Sequence, residues 1–403
     1  MIGLLGMLFL LGVAYGFSSN RSKINWRTVG GAFALQVGLA AFVLYLPFGQ
    51  DVLANMSNGV ASVIGYANAG FEFLFGEIGA YSQGFIFAIH VLGVIIFFSS
   101  LIAVLYHIGV MSWVIKIIGG GLQKLLGTSK PESMSAAANI FVGQTEAPLI
   151  VRPFIPTMTR SELFAVMVGG LSSVSGSVLA GYAGIGVELK YLLAACFMAA
   201  PGALLMAKIL MPEVEKPVTD LGQMPQPERR ANVIDAAASG ASSGLELALN
   251  VGAMLLAFVA LIALVNGILG WAGGFVGYDT LTLQAIFGVV FKPFAWLLGV
   301  PWEDAGLAGS FIGQKLAINE FVAYLDFVNY KDGMDPRSQV IVTFMLCGFA
   351  NISSIAILLG GLGGMAPNRR KDIAQLGVKA LLAATLANFM SASIAGIFFT
   401  LSG

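Results

Sequence analysis

The chain has 403 residues, of which 57% are hydrophobic and only 10% charged, and its basic and acidic residues balance to no net charge. Soluble domains carry about 25% charged residues, so this composition describes a polytopic membrane protein. The absence of net charge argues against electrostatic nucleic-acid binding, and two histidines, His90 and His107, leave little for His-based catalysis or zinc.

A membrane-spanning helix needs about 20 apolar residues. The first such run is Ile2 to Phe17, followed rather than preceded by Arg21, Lys23 and Arg27. That order favours a retained anchor that starts outside over a cleaved leader. The second span runs from Val29 to Phe48. Asp51 to Gln83 contains no Lys or Arg and suits the outer face, with short helices lying there. A third span, Phe85 to Val110, returns inward. Trp113 to Leu126 is amphipathic, carries Lys116 and Lys124, and closes on Leu125-Leu126-Gly127, which suits an interfacial helix.

Lys130 to Arg160 is too short for two full spans but long enough for a helical hairpin that enters and leaves by one face. Gln144, Thr145 and Glu146 lie at its centre, and Pro148 disfavours a continuous helix there. The fourth span, Leu163 to Val187, is interrupted by Ser172, Ser173, Ser175 and Ser177, and the fifth is Tyr191 to Leu210. Glu213 to Asp235, rich in proline, reads as a cytoplasmic linker before a sixth span, Ala236 to Leu269. A second amphipathic stretch, Leu281 to Leu298, precedes a second short segment, Pro301 to Asp326, with Asn319-Glu320-Phe321 at its centre. The seventh span, Val340 to Leu362, is interrupted by Gly348 to Ser354, and the last is Ile373 to Leu401. Cys196 and Cys347 sit in apolar runs and read as small packing residues.

One order of parts thus occurs twice: an interfacial helix ending Leu-Leu-Gly, a short hairpin with a central glutamate, and a span broken by polar residues. Gly127 to Glu146 covers 19 positions and Gly299 to Glu320 covers 21. Glu146 to Ser173 covers 27 and Glu320 to Asn351 covers 31. By the span count the first copy begins inside and the second outside, an inverted repeat of the kind that builds secondary transporters. The expected fold is therefore all-α, with eight transmembrane helices, two re-entrant hairpins and interfacial helices. Its parts are spans one to three (1–110), a first repeat (111–212), a linker (213–235), span six (236–280) and a second repeat (281–403). A gated polar-solute channel is the rival architecture, although a channel has no need of two hairpins with opposed carboxylates. An intramembrane enzyme is disfavoured, since Ser173 lacks a nearby base and no His-Glu-x-x-His pattern occurs.

Glu146 and Glu320 have a bland reading as structural carboxylates paired with Arg152 and Lys315, because intramembrane charges often pair. Their matching repeat positions and polar neighbours point instead to a site for a neutral, hydrogen-bonding solute such as a sugar or nucleoside. The serines of the first break suit either close helix packing or a polar site. Asn351 and Ser354 are more specific, since an Asn in a helix break needs a partner in lipid. Phe349 is either core or a platform for a base.

At these residues the chain resembles the concentrative nucleoside transporter family, in its bacterial, eight-span form without the three extra N-terminal spans of animal members. The resemblance covers nearly the whole chain. It is carried by Gly143-Gln-Thr-Glu-Ala-Pro-Leu149, Asn319-Glu-Phe-Val-Ala-Tyr324 and Gly348-Phe-Ala-Asn-Ile-Ser-Ser354. It implies sodium-coupled symport of nucleosides, uridine-like in character, across the bacterial inner membrane; the span count puts both termini outside, and the balanced charge gives no nucleic-acid partner. Proton coupling is the alternative, with Glu146 or Glu320 titrating. The resemblance also implies that Gln144, Thr145 and Glu146 meet the base, that Glu320, Asn351 and Ser354 bind the ribose, and that Val178, Phe349 and Leu247 line the apolar side. Sodium would be held by Asn139, Ser173 and the carbonyls of Val142 and Val174. The family's homotrimer would keep the interfacial helices and the sixth span as scaffold while the hairpins move.

Overall fold

In lipid every backbone polar group must be satisfied within the segment, so apolar runs of this length fold as helices. The computed structural model describes residues 2–217, 230–275, 277–278 and 280–402, and among these the regular structure is entirely helical. Helices α1 (Ile2–Gly16) and α2 (Trp26–Ala40) open the chain, α2 running on through a π-helical turn, Ala41–Tyr45. Pro47 then starts α3 (Pro47–Gly65), which with α4 (Ala67–Phe75) forms the region expected on the outer face. That region holds a helix of 19 residues where short ones were expected, because Pro47 at the first helical position is favourable and nothing breaks the run before Gly65.

Helix α5 (Phe87–His107) follows, and then the first set of parts: α6 (Val110–Leu126), α7 (Lys130–Ala138), α8 (Ala147–Ile150), α9 (Arg160–Ser172), α10 (Gly176–Gly184) and α11 (Leu189–Leu210). After α12 (Val233–Gly274) the order recurs in α13 (Leu283–Leu297), α14 (Ala305–Ala317), α15 (Glu320–Tyr330), α16 (Pro336–Leu346) and α17 (Ile352–Met365), with α18 (Arg370–Ser402) last. Each interfacial helix is closed by a glycine at positive φ, Gly127 at 67° and Gly299 at 106°. A side chain there would be strained, so the Leu-Leu-Gly signature is a helix stop.

Six helical segments are long and apolar enough to cross a membrane among the described residues, with Ile2–Gly16 and Ile352–Met365 as shorter apolar helices. The hairpins differ from one another. The second has two regular limbs, α14 and α15. The first has one regular limb, α7; its return is only the four-residue α8 and a 3-10 turn, Ile155–Thr157. The expected helical hairpin is thus half irregular. Pro148, Pro153 and Pro156 in the return limb remove backbone donors, which accounts for the difference.

The core lies around α9, α11, α16 and α18, whose central residues are buried on all sides. Capping boxes at Ser129/Glu132 and Thr159/Glu162 start α7 and α9. Buried Lys208 of α11 reaches Glu132 in an ion pair and donates to Ser161 Oγ at 2.9 Å, fixing both helix starts to α11. Helix α12 is the opposite case. It runs 42 residues, longer than the expected Ala236–Leu269, and buries a four-residue stripe, Ala236, Gly240, Gly244 and Ala248. Gly240 and Gly244 sit directly on Ser99 and neighbouring atoms of α5. Its remaining faces leave Leu249, Leu256, Leu264 and Trp271 exposed. The expected linker Glu213–Asp235 is shorter than anticipated at its far end, where Asn232 caps α12 by accepting from Asp235 N–H; its residues 218–229 lie outside the described residues.

Candidate functional site

The first hairpin tip is built by a tight local turn. Helix α7 stops at Asn139, whose Nδ2 donates back to Ser135 O at 2.9 Å. The Gly143 carbonyl then accepts from Glu146 N–H at 3.1 Å and Ala147 N–H at 3.0 Å, while Glu146 Oε2 accepts from Gly143 N–H at 3.1 Å. The carboxylate therefore closes its own loop, and among the described residues it forms no ion pair with Arg152. Gln144 is buried against Gly170 of α9, and Thr145 and Glu146 are exposed, Thr145 lying beside Gly361 of α17.

The first break, Ser173 to Ser175, separates α9 from α10. Ser175 caps α10 by accepting from Val178 N–H at 3.4 Å and shares a hydrogen bond with Ser177 Oγ at 3.1 Å. These two hydroxyls are thereby given a local structural role. Gly176 N–H donates to Phe141 O at 2.9 Å, tying the break to the hairpin tip.

At the second tip, Asn319 caps α15 by accepting from Val322 N–H at 2.9 Å. This places Glu320 at the first position of the helix, 95% buried, where the helix N-terminus favours negative charge. Glu320 Oε1 accepts from Tyr182 Oη at 2.8 Å and Oε2 from Asn351 Nδ2 at 2.9 Å. Asn351 Oδ1 in turn accepts from Ser354 N–H at 2.9 Å and Ser353 Oγ at 2.7 Å, capping α17. Glu320, Asn351 and Ser354 are thus one continuous network, joined by Tyr182. Lys315 is not the direct partner of Glu320; its Nζ donates to Met345 O at 2.7 Å and Asn388 Oδ1 at 2.8 Å.

The two breaks are themselves stitched together. Phe349 N–H donates to Ser173 O at 3.2 Å, and Asn388 Nδ2 donates both to Ser172 O at 2.7 Å and to Cys347 O at 3.0 Å. Gly348 must lack a side chain, since a Cβ there would collide with Asn388 and the Ser172 carbonyl. The half-buried Phe349 ring faces Gly143 of the first tip. Val178 is buried in α10 beside this junction. Leu247 is half-buried on α12 and takes no part in the hydrogen-bonded network. Cys196 and Cys347 are both free and buried.

The four sodium candidates offer oxygens suited to a cation. Among the described residues Asn139 Oδ1 is a buried acceptor without a hydrogen-bond partner, and a Cβ on Gly169 would come within 3.0 Å of the Asn139 amide, so that group seats on the last turns of α9. Ser173 Oγ donates to Gly169 O at 3.0 Å, leaving its lone pairs free. The carbonyls of Val142 and Val174 accept no backbone hydrogen bond among the described residues. Four neutral oxygen donors at the carbonyl end of a half-helix suit a hard cation. Gln144 Oε1 is a further buried acceptor without a partner.

Tyr182, Asn388 and the true partners of Lys315 escape the motif-based reading. Tyr182 lies two turns beyond Ser175, on the same helix face by spacing. Asn388 is a lone amide in an apolar run, and such a residue in lipid demands a partner. Both signals were present in the sequence, but neither names the partner.

Three family models match the chain. They are the Na+ dependent nucleoside transporter C-terminus over residues 191–396, the Na+ dependent nucleoside transporter N-terminus over 5–78, and a nucleoside recognition "Gate" over 88–188. An uncharacterized transporter of Haemophilus influenzae is 58% identical, with 99% of this chain and 97% of that protein covered. The nucleoside permease NupC of Helicobacter pylori is 50% identical, with 100% of this chain and 98% of that protein covered. The solved structure of CNTnw in an inward-facing substrate-bound state superposes with a TM-score of 0.95 at 58% identity, covering 100% of this chain and 99% of that one. These matches bear on the whole helical architecture just described, and they place the molecule among transporters rather than enzymes. The chain belongs to the concentrative nucleoside transporter family.

Proposed function

We propose that the protein is a sodium-coupled symporter that carries uridine-like nucleosides into the cell across the bacterial inner membrane. The observation that carries this reading is the contrast within one site. A hydrogen-bonded Glu320–Asn351–Ser354 network stands ready to accept from ribose hydroxyls, facing a hairpin tip whose buried Asn139 and Gln144 oxygens have no partner. Glu320 would meet the ribose, its charge strengthening each hydrogen bond it accepts. Gln144, Thr145 and Glu146 would meet the base, with Phe349 and Val178 as apolar walls and Leu247 reaching in from α12.

Asn139, Ser173 and the carbonyls of Val142 and Val174 would hold the sodium ion, which supplies positive charge to oxygen atoms that the fold leaves unmatched. Asn139 and Val142 belong to the tip, Ser173 and Val174 to the break, so one ion would couple the shape of the tip to the break. Ion and nucleoside must then enhance each other's binding by the same factor. The hairpins of the two repeats (111–212 and 281–403) would move as a transport domain. Spans one to three, the interfacial helices and α12 would stay as scaffold, with the exposed apolar faces of α12 covered in a homotrimer and both termini outside.

Uptake of labelled uridine into proteoliposomes under separately imposed sodium and pH gradients tests the proposal. Accumulation driven by the sodium gradient alone is the expected result. Accumulation that follows only the proton gradient would replace sodium with proton coupling.

A further inference from the structure

A cavity of about 520 Å³ opens between α12, α13 and the second hairpin, α14 and α15. Neither hairpin tip nor either break contributes to its lining, so it is separate from the candidate substrate site. A space of this size falls within the range of small-molecule sites, about 300–1,000 Å³.

Its walls are held by hydrogen bonds that need no ligand. Asn266 of α12 donates from Nδ2 to Gln284 Oε1 of α13 at 3.0 Å and accepts from Leu283 N–H at 2.8 Å. Across the cavity, Gln314 Nε2 donates to Ser310 Oγ at 3.1 Å and to Asp326 Oδ2 at 2.6 Å, joining the two limbs of the hairpin. The charged groups are what these bonds leave over. Lys292 of α13 and Asp326 of α15 are the base and the acid on the lining, and among the described residues they form no ion pair with each other. Asp326 Oδ1 takes no hydrogen bond among the described residues. Lys292 Nζ lies 4.2 Å from the centroid of the Trp302 ring, which leaves its N–H donors free.

A positive and a negative wall held apart on different elements select a particular ligand. An anion alone would be repelled by Asp326 and a cation alone by Lys292. A molecule that carries an ammonium beside a phosphate satisfies both through charge-assisted hydrogen bonds. The setting supplies the source. Helix α13 is amphipathic, and Lys292 stands over Trp302, which meets Trp296 edge-on at 6.3 Å. Lysine and tryptophan in this arrangement mark the headgroup layer of a bilayer. Exposed Val289 and Leu307 also line the cavity, giving it an apolar rim on which acyl chains can lie.

We propose that this cavity binds a zwitterionic phospholipid with a primary ammonium, of the phosphatidylethanolamine class, its phosphate on Lys292 and its ammonium on Asp326. The lipid bridges interfacial helix α13 to the hairpin that carries Glu320, and through that bridge the headgroup composition of the membrane acts on uptake. The consequence for uptake rests on the transport reading above; the binding site does not.

Native mass spectrometry of the detergent-purified protein, equilibrated with phosphatidylethanolamine, phosphatidylcholine and phosphatidylglycerol of matched acyl chains, tests the site. Preferential retention of phosphatidylethanolamine is expected. Asp326→Asn keeps an acceptor for Gln314 and removes the charge, and Lys292→Gln removes the opposite charge. Each is expected to weaken that retention by about tenfold, the effect of one charged hydrogen bond. Equal retention of the three lipids, a preference for phosphatidylglycerol, or a preference unchanged in both variants would overturn the proposal, as would a cavity that retains no lipid because a second copy of the chain covers it. If the variants do not fold, stepwise N-methylation of the lipid decides the matter on the wild-type protein: retention should fall as ammonium protons are replaced, and constant retention would overturn the site. In proteoliposomes, uridine uptake by the wild type is expected to differ between phosphatidylethanolamine and phosphatidylcholine vesicles, and uptake by Asp326→Asn is not. Uptake indifferent to headgroup would overturn the link to transport. Absence of uridine uptake in every vesicle, with the lipid preference intact, would count against the transport reading and leave the lipid site standing.

Discussion

The two hairpin tips occupy matching places in the chain yet are finished to different degrees. At the second tip every principal side chain is engaged: Asn319 caps its helix, Glu320 takes two hydrogen bonds, and Lys315 and Asn388 hold the break behind it. At the first tip, among the described residues, Glu146 is bonded only to its own loop, and the buried oxygens of Asn139 and Gln144 have no partner. A buried acceptor without a partner is unfavourable by about 1–3 kcal/mol, so the first tip is the part of the site that ligands have most to stabilise. One half of the site is preorganised, and under the proposed function the other would be completed by what binds.

Breaking the finished half should have the largest effect. Glu320→Gln puts an amide donor opposite either Tyr182 Oη or Asn351 Nδ2 and removes the charge. A loss of about 3 kcal/mol, roughly 100-fold in uridine uptake, is expected from charged hydrogen bonds of this kind. Initial-rate uptake at matched expression measures it. Next comes the ion side of the unfinished half. Asn139→Leu removes the unpartnered oxygen, and the sodium concentration for half-maximal uptake should rise by about tenfold, equivalent to about 1.4 kcal/mol. A sodium titration at saturating uridine checks this, and the maximal rate should be recovered at high sodium.

Tyr182→Phe leaves the ring packed and deletes one hydrogen bond to Glu320. Its expected cost is about 1 kcal/mol, seen as a roughly fivefold higher KM for uridine. A 2′-deoxyribose analogue compared with uridine would show whether that loss belongs to the sugar. The smallest effect on overall rate is expected for Glu146→Gln, which should reorder preference among bases while leaving discrimination among sugars intact. Competition by a panel of nucleosides differing in one part at a time separates the two. Equal losses across the panel would remove the division between base and ribose.

Much of this arrangement was legible in the residues. The spans, the Leu-Leu-Gly helix stops and both breaks follow from apolar length and from glycine, serine and asparagine placed where a helix in lipid cannot tolerate them. The family resemblance grouped Glu320 with Asn351 and Ser354, but the direct Asn351–Glu320 hydrogen bond was not foreseen. Other features were hidden for physical reasons. Lys315 and Glu320 look like an ion pair by proximity in sequence, but the structure gives Lys315 to the Met345 carbonyl of α16 and to Asn388, 73 positions away. Asn388 is unremarkable in composition, and its role arises only once α18 lies between two breaks that are 175 residues apart (Ser172 to Cys347). The irregular return of the first hairpin was foreshadowed by its prolines, but hydropathy and length alone suggested a helix.

Under the proposed function, sodium would complete the first tip before it can hold a nucleoside well. Calorimetric titration of uridine into the purified protein in sodium and in choline buffers of equal ionic strength tests it most directly. Tighter uridine binding in sodium is expected, with sodium binding tightened by uridine by the same factor. Uridine affinity identical in the two buffers would contradict it.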